Sequence, residues 1–139
     1  MFPTVGQTGR VKLEEIGTGI AVRRLIGREL DAAWCTGQAS LSLFELEAGA
    51  ASQLGHNKIG QESFIVLSGL GSVLIDGVVQ PLQEGSFVVL PPSSVRSVRA
   101  DQGHPLRYFA LTTPAWSIDD NVPDPEKDTT DGSLSTRST

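Results

Sequence analysis

Apolar and polar residues alternate in short segments that recur along the chain. In residues 41–47 the period is two, so Ser42, Phe44 and Leu46 share one face of the segment. Residues 19–26 are rich in β-branched and aliphatic side chains, which favour an extended backbone. Both patterns predict β-strands.

Two further segments, residues 63–67 and 87–90, are almost continuously apolar. Short runs of this kind are typical of strands that are covered on both faces, as in a two-layered sheet protein. Asp76 and Gly77 lie between two apolar pairs, and both residue types tolerate a positive φ. They predict a tight β-hairpin.

Glycine and proline mark the predicted ends of the strands. We expect Gly69 and Gly71 to interrupt the strand that contains residues 63–67, and we expect a turn over residues 81–85. Later segments alternate again, and no convincing helix precedes residue 115. Strands at this close spacing, without helices, predict an all-β antiparallel sandwich or barrel.

The chain has 139 residues, which is the length of one domain. The pattern predicts an N-terminal arm over residues 1–18, a β-domain over 19–118 and a tail over 119–139. The tail is acidic and rich in Ser and Thr, with too few large apolar residues to offset the entropy of ordering it, so we expect it to be flexible from about residue 124. We expect Trp116 to pack on the barrel.

Charge and composition limit the partners of the protein. The net charge of -5 argues against nucleic acid and anionic membranes, because either partner would need a basic surface. There is no apolar stretch of about 18 residues and no secretion signal, so we expect a cytoplasmic location and no membrane association. The one cysteine, Cys35, cannot form an internal disulfide.

Two groups of residues carry a resemblance to a known family. Gly49, Glu62 and Gly69 have the spacing of the first of two motifs of the cupin superfamily, and Gly85 and Pro91 match the second. This resemblance extends over about residues 38–114. It implies a double-stranded β-helix, also called a jelly-roll barrel, with a cavity at its centre.

The resemblance also implies where a metal ion would bind in a cupin, and this sequence departs from that pattern. The three histidine positions of the motifs fall on Gly55, Asn57 and Arg96, so Glu62 is the one expected ligand that remains. Arginine keeps its positive charge and would repel a cation only a few ångströms away. We therefore expect no bound metal and no other cofactor.

We predict that the cavity instead performs metal-independent chemistry on a small organic molecule, which could be of a polyketide type. Glu62 would act as an acid or base, and Arg96 would bind a carboxylate or a developing oxyanion. The reaction would be an isomerisation, a cyclisation or an elimination. The candidate catalytic residues are Glu62, Arg96 and His56, and the candidate substrate-binding residues are Asn57, Phe64 and Tyr108.

Other interpretations of the same residues remain open. Glu62 and Arg96 could form a salt bridge that simply fills the former metal site. The protein could bind a small molecule without transforming it, or it could be a metal-dependent oxygenase that uses His56 and Glu62. We also expect a homodimer, with residues 19–26 as the strand that pairs across it.

Overall fold

The computed structural model describes residues 4–28 and 31–125. These residues form a sheet protein with one short 3-10 helix at Thr8–Arg10. None of the described residues form a helix long and apolar enough to cross a membrane. The strands are β1 Leu13–Gly17, β2 Ile20–Gly27, β3 Trp34–Cys35, β4 Ser40–Leu46, β5 Gly55–Asn57, β6 Gln61–Ile75, β7 Val78–Gln83, β8 Phe87–Leu90, β9 Arg96–Ala100, β10 Leu106–Thr113 and β11 Asn121–Pro123.

The sheet curls into a barrel around the long strand β6. Neighbouring strands follow the order β1, β2, β4, β10, β6, β9, β5, β11, and all these pairs are antiparallel. The first half of β6 pairs with β8 and β10, and its second half pairs with β7 and β9. The predicted all-β antiparallel barrel is therefore confirmed.

The strand β6 does not end at the glycines, contrary to the sequence prediction. It runs for 15 residues through Gly69 and Gly71. Gly69 has a φ of 97°, and a Cβ atom there would overlap the carbonyl oxygen of Pro105. The glycines let neighbouring backbones approach closely while β6 passes from one half of the barrel to the other.

The predicted turn at residues 81–85 begins later than expected. Pro81 lies within β7, where it pairs with Ser72 of β6. The described residues pair with β7 on one side only, and such an edge strand tolerates the missing proline N–H. The predicted hairpin is present, with φ values of 47° at Asp76 and 87° at Gly77.

The barrel interior is packed at one end and open at the other. On β4, Leu46 is 2% exposed and belongs to the core, whereas Ser40 at the other end of the strand lines a cavity. On β10, Leu106 is likewise fully buried in the core, and Thr112 lines the cavity. The packed apolar ends of β4 and β10 thus hold in place the same two strands whose other ends carry polar residues of the cavity.

The strand β11 was not predicted from the sequence. It pairs with β5, and the Asp120 carboxylate accepts hydrogen bonds from the backbone N–H groups of Ile59 and Gly60, at 2.7 and 2.8 Å. Backbone and carboxylate hydrogen bonds therefore attach a segment that has little apolar surface of its own. Residues 119–125 of the predicted tail pack on the barrel, and its remainder, from residue 126, lies outside the described residues.

Candidate functional site

A cavity of about 340 Å³ occupies the open end of the barrel. This volume lies within the range of small-molecule sites in proteins. Strands β4, β6 and β10 form one wall, and residues of β5 and β9 close the opposite side. The polar and aromatic residues of its lining include Arg24, Arg28, Ser40, Ser42, Phe44, Glu62, Phe64, Arg96, Tyr108, Thr112, Trp116 and Asn121.

Glu62 and Arg96 form an ion pair on the cavity wall. Glu62 is near the start of β6, Arg96 is the first residue of β9, and Arg96 Nη2 donates a hydrogen bond to Glu62 Oε1. Each side chain is only 13% exposed, so water screens the two charges weakly. The structure thus brings together the two residues that the sequence predicts to face one cavity.

Tyr108 lies beside this pair within a group of three aromatic rings. Its ring stacks on Phe44 with 5.2 Å between the centroids, and it meets Phe64 at 4.8 Å in a tilted arrangement. Burial raises the pKa of Tyr108 well above its usual range, and the negative charge of Glu62 raises this pKa further, although Arg96 opposes the shift. Tyr108 is therefore a neutral phenol that can donate a hydrogen bond.

Buried hydroxyl groups line the cavity next to Glu62, and the sequence prediction missed them. Thr112 of β10 pairs with Glu62 on one side and with Ser40 on the other. Ser40, Ser42 and Thr112 are each less than 10% exposed and face the cavity. The signal was strand periodicity, which puts Ser40 and Ser42 on the same face of β4 as Phe44, a residue that lines the cavity.

The mouth of the cavity carries two arginines and a tryptophan. The Arg24 guanidinium lies 5.3 Å from the centroid of the Trp116 ring, and its Nε is 3.1 Å from Glu14 Oε2. The Arg28 Nε–H donates to the carbonyl oxygen of Ala115 at 3.2 Å. Trp116 packs on the barrel as predicted. The sequence prediction did not place Arg24 and Arg28 at the cavity, because nothing in the sequence distinguishes them from arginines on the protein surface.

The structure places His56 outside the cavity. His56 is the middle residue of β5, so its side chain lies on the opposite face of the strand from Gly55, which lines the cavity. Its Nδ1 lies 2.7 Å from Asp124 Oδ2. Asn57 is 3% exposed and does not line the cavity either. It accepts a hydrogen bond from the Asn121 amide, at 3.3 Å, and Asn121 reaches the cavity in its place.

The donor set of this site does not fit a metal ion. His56, which lies between the two expected ligand positions in the sequence, pairs with Asp124. Glu62 pairs with the positively charged Arg96. Across residues 4–28 and 31–125, no cluster of three or more His, Cys, Asp or Glu side chains is arranged to hold one. His56 and Glu62 therefore do not form the joint site that the oxygenase hypothesis requires.

Comparison with protein families gives one match. The profile of the cupin domain family matches residues 42–112, which is just over half of the chain. This segment includes most of β4 and β10 and all of β5 to β9, and with them Glu62, Arg96 and Tyr108. None of the curated proteins compared with the chain matches it significantly.

Three proteins of known structure that share the fold of this chain are described here by name. Pac13 from Streptomyces, a nucleoside dehydratase, has a TM-score of 0.72 at 13% identity, over 88% of this chain and 92% of its own. KdgF from Halomonas sp. has a TM-score of 0.72 at 14% identity, over 85% and 98%. The polyketide cyclase RemF from Streptomyces resistomycificus has a TM-score of 0.67 at 16% identity, over 86% and 89%. At these low identities the TM-scores show a shared fold and nothing beyond the fold.

Proposed function

The chain belongs to the cupin family, and we propose that it is a metal-independent enzyme that isomerises, cyclises or eliminates a group from a small organic molecule. The observation that carries this proposal is the Glu62–Arg96 ion pair on the wall of the cavity, with each side chain 13% exposed. A carboxylate and a guanidinium in such a place are costly to desolvate, and a cavity that keeps both of them on its wall can supply a proton acceptor and an anion-binding group.

One initial step is common to the three reaction classes. The Glu62 carboxylate takes a proton from the carbon next to a substrate carbonyl, and the electron pair of the broken C–H bond moves to give an enolate. Arg96 binds the oxygen on which the negative charge develops. In a β,γ-unsaturated substrate, Glu62 returns the proton to the γ-carbon and completes an isomerisation. In a β-hydroxy substrate, the C–O bond breaks and the hydroxyl leaves with the Glu62 proton as water, which completes an elimination. In a substrate with a second carbonyl, the enolate carbon attacks that carbonyl carbon and its oxygen takes the Glu62 proton, which closes a ring.

Arg96 can serve both Glu62 and a substrate because a guanidinium has five N–H donors. Its Nη2 is engaged with Glu62. In this proposal the remaining N–H groups bind the substrate oxygen, and the guanidinium keeps the base and the carbonyl close together. Positioning of this kind removes much of the entropic cost of the reaction.

Tyr108 and Phe64 complete the proposed binding site. The neutral Tyr108 phenol donates a second hydrogen bond to the enolate oxygen, and the Phe64 ring forms an apolar wall for a flat substrate. The Thr112 hydroxyl, opposite Glu62, would hold a substrate hydroxyl. His56 and Asn57 are not part of the proposed chemistry, and any role for them stays a prediction.

The structural neighbours agree with this type of reaction. A nucleoside dehydratase carries out an elimination and a polyketide cyclase closes a ring, and both use the fold of this chain. Because a fold hosts many activities, the neighbours support an enzyme role for this chain and do not select a reaction. The aromatic walls of this cavity favour a cyclic or polyketide-type substrate over an extended aliphatic one.

A non-catalytic binding protein is the second candidate function. It is favoured by the ion pair itself, since Glu62 and Arg96 satisfy each other without any ligand. In that case Arg96 would select an anionic or carbonyl-bearing molecule, and the molecule would leave unchanged.

A two-stage experiment distinguishes the two functions. Thermal-shift measurements with a panel of cyclic β-hydroxy ketones, 1,3-diketones and aromatic keto acids select the compounds that stabilise the protein. Each selected compound is then incubated with the protein and followed by mass spectrometry and by proton NMR in D2O. Catalysed loss of water, ring closure or exchange of the α-proton supports the enzyme. Stabilisation of the protein by compounds that all stay unchanged would contradict it and favour the binding protein.

A further inference from the structure

Two arginines at the mouth of the cavity are anchored in the same way. The Arg24 Nε–H donates to Glu14 Oε2 at 3.1 Å, and the Arg28 Nε–H donates to the carbonyl oxygen of Ala115 at 3.2 Å. Within residues 4–28 and 31–125, neither guanidinium uses its Nη groups in a hydrogen bond. Since a guanidinium has five N–H donors, the contact at Nε fixes each side chain and leaves the Nη donors free to bind a ligand.

The charges of the cavity lining favour a negatively charged ligand at this end. The charged residues of the lining are Arg24, Arg28, Arg96, Asp31 and Glu62, so positive charges outnumber negative ones in a chain whose net charge is -5. Arg96 pairs with Glu62. Arg24 pairs with Glu14, which lies outside the lining. Arg28 forms no ion pair with the described residues, so its charge is available to a ligand.

Arg24 lies on a different wall of the cavity from the Glu62–Arg96 ion pair. It belongs to β2, which is paired on both sides within the chain, by β1 and β4. From β2 the sheet continues through β4 and β10 to β6, the strand of Glu62. Neighbouring strands are about 4.8 Å apart, so three spacings separate β2 from β6 by roughly 14 Å along the curved sheet. The cavity thus has positive charge at two separate places.

Trp116 supplies an aromatic surface next to the two arginines. The Arg24 guanidinium lies 5.3 Å from the centroid of the indole ring, and the Trp116 backbone N–H donates to Ser40 Oγ at 3.0 Å. The contact of Arg28 with the carbonyl oxygen of Ala115 fixes the preceding residue. The indole ring is therefore held at the mouth, where a flat ligand can pack against it.

We propose that Arg24 and Arg28 form an oxyanion subsite, which binds a carboxylate or phosphate group at one end of the ligand. Planar guanidinium groups bind both kinds of oxyanion through paired N–H donors. For the other end of the ligand, this inference rests on the proposed function, in which the reacting carbonyl binds to Arg96. The substrate class is thereby narrowed to flat carbonyl compounds that carry an oxyanion remote from the reacting carbon.

The test compares three probes that share one acetyl-substituted ring: 4-acetylbenzoate, 4-acetylphenyl phosphate and the uncharged methyl 4-acetylbenzoate. Isothermal titration calorimetry measures their affinities for the full chain at physiological ionic strength. We expect at least one charged probe to bind about 10-fold or more tightly than the ester, because only a charged probe pairs with the guanidinium groups. The tighter of the two charged probes identifies the group as a carboxylate or a phosphate.

Arg28→Gln should weaken the binding of the tighter charged probe by about 10-fold and leave the binding of the ester unchanged. Arg107→Gln is the matched control. Arg107 is exposed on β10 and does not line the cavity, and its substitution changes the net charge by the same amount. Circular dichroism verifies that both variants are folded.

Equal affinities of the natural protein for the ester and for both charged probes would overturn the proposal. So would the absence of saturable binding of both charged probes up to about 10 mM. Equal weakening of ester and charged probe by Arg28→Gln would also overturn it, because Arg28 would then act only by fixing Trp116. An equal loss in Arg107→Gln would show that net charge, rather than the oxyanion subsite, determines the affinity.

Exchange of the acetyl protons in D2O, followed by proton NMR, separates this proposal from the proposed function. Charge-dependent binding that needs Arg28, without any exchange, would support the oxyanion subsite and contradict the enzyme. Catalysed exchange with equal affinities for the ester and the charged probes would support the enzyme and overturn the oxyanion subsite.

Discussion

Arg96 replaces a neutral imidazole by a permanent cation at a position where a cupin would place a metal ligand. Glu62 therefore pairs with a side chain that is always charged, and both side chains are only 13% exposed. Removing one member of a buried ion pair costs far more than removing both, because the remaining charge has no partner. The pair should therefore behave as one unit in folding.

We predict that Arg96→Met lowers the free energy of unfolding by about 3 kcal/mol, since it leaves the Glu62 carboxylate buried and unpaired. The double variant Glu62→Gln/Arg96→Met should be more stable than Arg96→Met alone. Urea denaturation of the natural protein, both single variants and the double variant measures this. Equal stability of Arg96→Met and the natural protein would mean that the two side chains do not depend on each other.

A second prediction concerns Tyr108, which is the only tyrosine in the sequence. Its pKa is raised in the folded state, so the folded protein keeps the phenolic proton above about pH 10, where an unfolded chain loses it. Folding stability should therefore decrease as the pH rises above about 10. The near-ultraviolet absorbance of tyrosinate should appear only together with unfolding, followed by circular dichroism. Tyrosinate in a protein that is still folded would show that the ring is open to water.

Among single residues, the sequence predicted those whose position follows from strand periodicity or from motif spacing. Glu62 and Phe64 share a face of β6, and Arg96 follows from the motif spacing, so all three could be assigned to the cavity. His56 could not, because its orientation depends on the pairing of β5 with β11, which carries no sequence signal. The hydroxyl of Thr112 was overlooked because a strand threonine is equally common on either face.

Among the elements, β6 shows how glycine is used for close approach rather than for a turn. A Cβ at Gly71 would overlap the carbonyl oxygen of Arg99, just as one at Gly69 would overlap that of Pro105. Sequence reasoning treats two nearby glycines as a break because it has no information on the backbones that will lie against them. The error over Pro81 has a similar cause, since only the topology makes β7 an edge strand.

We predict that Gly69→Ala lowers the free energy of unfolding by roughly 3 kcal/mol or more, because a φ of 97° strains an alanine and the Cβ has no room. Gly85→Ala is the control. Gly85 has a φ of 85° but no atom within 4 Å of an added Cβ, so its cost should be about 1 kcal/mol. Urea denaturation followed by tryptophan fluorescence measures both. Equal losses would show that the backbones at Gly69 are not in close contact.

On the scale of the whole molecule, the apolar core and the polar cavity lie at opposite ends of the barrel. One end is filled by aliphatic residues such as Leu46 and Leu106, and the other encloses the ion pair and the buried hydroxyl groups. The all-β barrel was predictable because its strands alternate and its turns carry glycine. The cavity was predictable only as a consequence of the family resemblance, since its volume depends on how strands distant in sequence pack together.

The central claim is that Glu62 transfers a proton within the cavity, and substitution by an isosteric amide tests it most directly. Glu45→Gln is the matched control, because Glu45 also pairs with an arginine, Arg23 at 3.6 Å, but does not line the cavity. The measurement is the rate of exchange of the substrate α-proton for deuterium, followed by proton NMR with a compound selected by thermal shift. Circular dichroism establishes that both variants are folded.

We predict that Glu62→Gln slows this exchange by at least about 100-fold, as expected for the loss of a general base, and that Glu45→Gln leaves it unchanged. An exchange rate that is the same in Glu62→Gln and in the natural protein would contradict the account.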